Sequence, residues 1–237
     1  MISFPSICVD NFYKDPIAVR EFALSLPFDH EHNGNGKYPG VQTKPLHLIA
    51  PDFFQSFCSK FFSLYYDFSS TINWVVETRF HKVFPFTSGS DLINHGWMHL
   101  DNFDLGAGVV YLNDTPVTDS GTILYDLKDN IDPEPVIKKV APYHQKLFSY
   151  TDGNLPNNFD FNGTEQAHKE LSNMFDETVR FKNKFNRLIA FDGETYHSSS
   201  STCLENEPFR LVQVFFIKSI SAHTIPMQRL QASQYKY

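Results

Sequence analysis

Residues 209–217, Phe209-Arg210-Leu211-Val212-Gln213-Val214-Phe215-Phe216-Ile217, read as one β-strand. Branched and aromatic side chains crowd the run, and neither Gly nor Pro interrupts it, which suits a pleated, packed surface. Side chains alternate across a strand, so Arg210, Val212, Val214 and Phe216 share one face. Three of those four are apolar, and that turns the face toward a core. A guanidinium at the head of such a row needs an anion, because an unpaired buried charge is very costly. Two partners fit: a structural Asp or Glu, or the carboxylate of a small ligand, for which the bidentate fork of Arg210 is well shaped.

Working outward, Arg187-Leu188-Ile189-Ala190-Phe191-Asp192 is a second buried-looking strand, followed by a turn and closed by His197. If these two strands are antiparallel neighbours, His197 and Arg210 lie at the same end of one sheet. Segments 74–84, 96–101, 107–112 and 121–125 are equally short and β-rich, with Gly, Asn, Asp, Ser and Pro between them, the pattern of a sandwich or barrel. Two amphipathic helices precede them. Asp15 is a good N-cap, Pro16 a good first residue, and Val19, Phe22, Ala23 and Leu26 follow the helical period until Pro27. From Asp52, Phe54, Phe57, Phe61, Leu64, Tyr65 and Phe68 repeat that period as an aromatic core stripe. Segment 30–45 reads as an exposed loop, 126–161 as polar and Pro-rich, and 164–182 as helical through Ala167, Leu171, Met174 and Phe175. The expectation is one domain over 1–237: N-terminal helices to about residue 70, a β core over about 71–218 with a loop and helix insertion at about 126–182, and a tail over 219–237.

Composition sets outer limits. In 237 residues, 41% hydrophobic against 20% charged excludes wholesale disorder. Aromatics reach 16%, mostly from 24 Phe and 11 Tyr, and favour sheet. The net charge of −7 argues against a nucleic-acid partner. Cys8, Cys58 and Cys203 share no short spacing, so neither a disulfide framework nor a Cys-x-x-Cys metal site is expected. The opening residues lack the basic and apolar segments of a signal peptide, and no run approaches a membrane span. A soluble protein of the reducing cytoplasm is expected, with no membrane partner.

Chemistry enters at His99-Leu100-Asp101. On a strand, positions i and i+2 face the same way, so this imidazole and carboxylate can meet one metal ion. Roughly 0.7 His-x-Asp matches are expected by chance in such a chain, so the motif needs context. His168-Lys169-Glu170 illustrates the point. In a helix its two ends diverge by roughly 200° and cannot share a metal. A third ligand should come from a distant strand, and His197 stands at the right place. Two His and one carboxylate with open coordination positions form the facial triad of non-haem Fe(II) sites. Other residues carry less: His30-Glu31-His32 sits in a Gly/Asn loop, His95 either lines the mouth or caps a turn, Trp97 either borders the pocket or packs in the core, and Asp104 has the wrong spacing to replace Asp101. Ser198 to Ser201 lack a nucleophile elbow.

The ordered set His99-x-Asp101, His197, Arg210 resembles the Fe(II)/2-oxoglutarate-dependent dioxygenase superfamily, in its prolyl-hydroxylase-like and uncharacterised viral or bacterial branches. The separations, 96 residues from Asp101 to His197 and 13 from His197 to Arg210, are similar to that family's. So are Tyr111-Leu112-Asn113, Ser120-Gly121-Thr122, the run from Asn186 to Asp192, Val9-Asp10-Asn11-Phe12-Tyr13 and Tyr38-Pro39-Gly40. The resemblance implies a mainly β fold with flanking helices, a double-stranded β-helix or jelly roll. It implies Fe(II) on His99, Asp101 and His197, and 2-oxoglutarate chelating the iron with its distal carboxylate on Arg210. O2 would be consumed to give succinate, CO2 and a hydroxylated small molecule or peptide side chain. Val110 is apolar where prolyl hydroxylases commonly place a tyrosine, and the family's glycine pair is half kept, which counts against peptidyl proline as substrate. A non-catalytic, cupin-like jelly roll holding a metal or ligand is the alternative, and a structural zinc would then need a fourth His or Cys.

Overall fold

The structure is a computed structural model that describes residues 4–29, 40–68, 71–84, 96–101, 104–147, 158–200, 209–224 and 226–227. Among the described residues, nine strands form two antiparallel sheets. They are β1 (Ile7–Val9), β2 (Val41–Gln42), β3 (Asn73–Val83), β4 (Gly106–Tyr111), β5 (Thr122–Leu127), β6 (Phe175–Phe181), β7 (Leu188–Asp192), β8 (Tyr196–Ser199) and β9 (Arg210–Ser221). The large sheet runs β1-β7-β4-β9-β3-β2 and the small one β6-β5-β8. The helices among the described residues are α1 (Pro16–Ser25), α2 (Leu46–Ile49), α3 (Pro51–Phe62), α4 (Glu134–Leu147) and α5 (Phe161–Ser172). Among the described residues no helix is long and apolar enough to cross a membrane.

The N-terminal helices start where local chemistry favours it. The Asp15 carboxylate accepts the Ala18 N–H at 3.0 Å and Pro16 occupies the first turn of α1, where its missing donor costs nothing. Helix α3 buries Phe57, Cys58, Phe61 and Phe62 against Phe80, Val110, Leu188, Leu211, Phe215 and Ile217 of the large sheet. The opposite face of that sheet meets the small one through Ala107, Tyr111, Ile189, Phe191, Val212 and Leu124. Alternation in β7 is plain: Leu188 and Ala190 join the helix side, Ile189 and Phe191 the inter-sheet side.

Several expectations change. β7 and β9 are not neighbours, because β4 lies between them and pairs with both. The run from Arg187 to His197 is split: β7 belongs to the large sheet, a turn follows, and β8 belongs to the small sheet. Reversal at the Gly193 turn lets consecutive residues serve two layers, which alternation within one run does not reveal. The helical reading of 164–182 holds only to Ser172; Phe175–Phe181 is strand β6, paired with β5. Thr178 and Val179 favour the extended chain there. Leu171, Met174 and Phe175 still converge on one cluster, so their helix-like spacing reflected shared burial across a helix-to-strand junction. The polar segment 126–161 contains α4, which buries Val140 against Trp97, Met98 and Phe159. Of the 30–45 loop, residues 30–39, with His30, Glu31, His32, Tyr38 and Pro39, lie outside the described residues, as do His95 and Cys203; Val41–Gln42 is strand.

Candidate metal centre

Two extended segments supply the imidazoles. His99 and His197 form an antiparallel bridge in which each backbone N–H donates to the other's carbonyl at 3.0 Å. A directly opposed pair must place both side chains on one face, and the rings lie 4.3 Å apart between centroids. Asp101 follows two residues after His99. Its Oδ2 is 3.3 Å from His197 Nε2 and its Oδ1 is 3.9 Å from His99 Nε2. One ligand atom from each of His99, Asp101 and His197 lies within 4.8 Å of the others, and among the described residues this is the one such group of His, Cys, Asp and Glu.

The tautomers are fixed by backbone acceptors. His99 Nδ1 is 2.7 Å from the Trp97 carbonyl and His197 Nδ1 is 2.9 Å from the Thr195 carbonyl. A carbonyl can only accept, so each Nδ1 carries the hydrogen, and in the neutral ring Nε2 keeps its lone pair. Both lone pairs belong to the atoms that approach Asp101. This outer-nitrogen hydrogen bond is the arrangement that orients metal-ligating histidines. Half of the His99 side-chain surface, 51%, meets solvent, yet the surrounding protein and the adjacent His197 push its pKa down and favour the neutral form. For Asp101, burial works to raise the pKa, but the neighbouring His197 and His99, in their protonated forms, and the Lys218 charge pull the other way, and the net shift is downward, toward the ionised carboxylate. Two imidazole Nε2 atoms and a carboxylate converging on one point, with His99 half exposed, fit a divalent transition metal once both rings are neutral.

Arg210 stands on the inter-sheet face at the start of β9, on the same side as Val212 and Phe216. It is buried, its guanidinium carbon is 5.3 Å from the centroid of the Tyr111 ring, and its Nε has no hydrogen-bond partner. Among the described residues no carboxylate pairs with it. Burial lowers its pKa, with Tyr111 acting in the opposite direction. Tyr111 is itself fully buried, and its hydroxyl is 2.8 Å from Thr122 Oγ1. Two hydroxyls and an under-satisfied guanidinium therefore line one interior corner.

Asn113 explains how Arg210 is placed. Its Oδ1 accepts the Leu211 N–H at 2.7 Å and its Nδ2 donates to the Phe209 carbonyl at 3.0 Å, so it grips the backbone on both sides of Arg210. The sequence displayed Tyr111-Leu112-Asn113 without revealing these jobs; the signal was a lone amide ending an apolar strand. The residues set aside also have places. Trp97 is buried against the α4–α5 cluster, His168 sits on α5 with Nε2 3.2 Å from the Gly96 carbonyl, and Asp104 pairs with Lys218 instead of joining the triad.

Comparisons with known proteins follow from this geometry. A family model described as a family of unknown function, DUF6445, matches residues 3–205, and the chain belongs to that family. No curated protein matches it in sequence. Among solved structures, HygX from Streptomyces hygroscopicus with nickel and 2-oxoglutarate bound overlaps at a TM-score of 0.51 and 10% identity, covering 90% of this chain and 82% of that one. That likeness is one of fold. The overlap is looser with a Pseudomonas putida prolyl-4-hydroxylase (TM-score 0.40, 13% identity, 90% and 91% covered). It is also looser with SnoN, a non-heme alpha ketoglutarate dependent epimerase from nogalamycin biosynthesis (TM-score 0.44, 10% identity, 91% and 79% covered).

Proposed function

We propose that this DUF6445 member is an Fe(II)- and 2-oxoglutarate-dependent oxygenase, a hydroxylase of a small molecule or a peptide side chain. The observation that carries the reading is the pair of Nδ1-protonated histidines whose Nε2 atoms flank the Asp101 carboxylate. Strand order supports it as well: β7-β4-β9-β3 opposite β6-β5-β8, with the His99 bridge as a further rung, is how a double-stranded β-helix would be wound.

In this reading His99, Asp101 and His197 would hold Fe(II), as two histidines and a carboxylate do in non-haem iron oxygenases that also take a cosubstrate and O2. Bound iron supplies the oxidative chemistry, in which 2-oxoglutarate and O2 yield succinate and CO2 while a substrate C–H becomes C–OH. Arg210 would receive the distal carboxylate, which satisfies the Nε that otherwise lacks an acceptor, and the hydrogen-bonded hydroxyl pair of Tyr111 and Thr122 leaves one further O–H donor beside it. Phe191, packed 4.5 Å from the His197 ring between centroids, shields the inner side of the site from water. In this reading the protein works in the reducing cytoplasm, a placement that rests on the wide spacing of Cys8, Cys58 and Cys203.

The test is turnover of the cosubstrate itself. Purified protein given Fe(II), ascorbate, O2 and 2-oxoglutarate should release CO2 and succinate slowly without a prime substrate, and faster when the correct amino acid, peptide or small molecule is present. His99→Ala should abolish both rates. Equal rates in the variant, or none in the intact protein across such a screen, would leave a non-catalytic binding module as the better description.

A further inference from the structure

The imidazoles of the triad come from a hydrogen-bonded bridge, but Asp101 comes from the start of a turn, and something must hold that turn. Its backbone is interlocked with the turn after β7. The Asp101 N–H donates to the Gly193 carbonyl at 3.0 Å, the Gly193 N–H to the Leu105 carbonyl at 3.3 Å, and the Asp104 N–H to the Asp101 carbonyl at 2.9 Å. Approach is so close that a Cβ at position 193 would lie 1.9 Å from the Asp104 carbonyl oxygen, which only glycine tolerates. The Leu105 N–H then reaches the Ile217 carbonyl at 2.8 Å, which brings the turn onto β9.

At that contact Lys218, the residue after Ile217, meets the side chain of Asp104. Its Nζ is 2.8 Å from Oδ1 and 3.1 Å from Oδ2, and the Asp104 side chain is only 9% exposed. An exposed ion pair would matter little. Here one partner is sequestered, so removing the lysine strands a carboxylate that burial already disfavours. Asp104 is excluded from the triad and nothing in the proposed reaction uses it.

We propose that Asp104 and Lys218 are positioning residues, a clasp that fixes the backbone of Asp104 and Leu105, and through the Asp104 N–H to Asp101 carbonyl bond the backbone of Asp101, so that the Asp101 carboxylate meets the Nε2 atoms of His99 and His197. The inference rests on the metal-binding reading above. The clasp acts through the backbone, and neither side chain touches the ion.

Position and charge make opposite predictions. If the pair acted only through its field on a cation, Lys218→Met would leave an extra negative charge and tighten metal binding, while Asp104→Asn would leave an extra positive charge and weaken it. A clasp predicts that both changes weaken binding, by about 10-fold or more, the range seen when groups behind metal ligands are removed. Co(II) serves as the probe, titrated anaerobically into the whole chain and followed by its visible d–d absorption, with the melting temperature of the metal-free protein recorded for each variant. The expected result is weaker Co(II) binding and an altered d–d spectrum in both variants, with Lys218→Arg close to the parent. Should Lys218→Met fold poorly, Lys218→Gln and Asp104→Asn carry the same comparison. Opposite signs, unchanged affinity in both variants, or a Lys218→Arg loss equal to that of Lys218→Met would overturn the clasp. Absence of Co(II) binding by the parent protein would instead overturn the metal centre on which the clasp depends.

Discussion

Along β9, Leu211, Phe215 and Ile217 turn toward the N-terminal helices, while Arg210, Val212 and Phe216 turn toward the small sheet. On the helix side the fit is aromatic and closed: Phe215 lies 5.2 Å from Phe57 and 4.8 Å from Phe61 between ring centroids. Across the same backbone, the inter-sheet side gathers a buried guanidinium with an unpartnered Nε, a tyrosine and threonine joined by their hydroxyls, and the histidines with Asp101 at the mouth. One strand thus separates a closed aromatic face from a face that holds a buried donor without an acceptor. Stability and ligand binding should therefore respond to different residues of β9, and substitutions can break or sharpen that division.

The largest effect should come from Phe215→Ala. Deleting a fully buried aromatic costs about 3–5 kcal/mol through lost transfer energy and a residual cavity. Chemical denaturation should show that loss, while the folded fraction binds Co(II) as the parent does. Weakened metal binding in step with stability would mean that the two faces are not separable. Asn113→Ala should cost less, about 1–3 kcal/mol for the buried backbone groups left without partners. It should also weaken 2-oxoglutarate, because the gripped segment carries Arg210. Arg210→Met is expected to lie within about 1 kcal/mol of the parent, since replacing a poorly paired buried charge by an apolar chain is often neutral or favourable. The cosubstrate requirement should rise sharply in that variant with Co(II) affinity little changed; a large loss of stability would point to a structural partner for the guanidinium.

The smallest effect concerns acid. His144 and His168 pack on Trp97, with ring centroids 5.2 and 5.0 Å away, and burial lowers the pKa of both. The folded chain then binds fewer protons than the unfolded chain once pH falls below the ordinary imidazole value of about 6.5. Stability is present above that value and is lost as pH drops through it toward the lowered folded values. Denaturation midpoints of the metal-free protein at pH 7.5 and 5.5 should show the decline, and His144→Gln combined with His168→Gln should make it shallower while the part due to His99, whose pKa is also lowered, stays. An unchanged slope would remove these two histidines from the explanation.

The central strands and the shared face of His99 and Asp101 were legible because their signals are local. A β-branched or aromatic run is a strand whichever sheet it joins, and His-x-Asp on extended backbone shares a face by geometry alone. The position of Arg210 on a buried face followed from the same alternation. Less legible were features set by pairing across the chain. Nothing local in Val9 or Gln42 announces an edge strand whose partner lies far along the sequence. The split of 187–197 between two sheets depends on the interlocked Gly193 turn. Likewise, the spacing of Asp104 separates it from His99 and Asp101, but its buried pairing with Lys218 joins positions 114 residues apart, beyond any spacing rule.

The most direct measurement is optical. Under anaerobic conditions, Fe(II) and 2-oxoglutarate are added to the intact protein and to the His99→Ala, His197→Ala and Arg210→Ala variants, and the weak visible charge-transfer band of the chelate is followed. The intact protein should develop the band at stoichiometric iron, the two histidine variants should not, and Arg210→Ala should need far more 2-oxoglutarate to reach it. No band in the intact protein, or the same band in His99→Ala, would contradict the assignment of these residues to one iron centre.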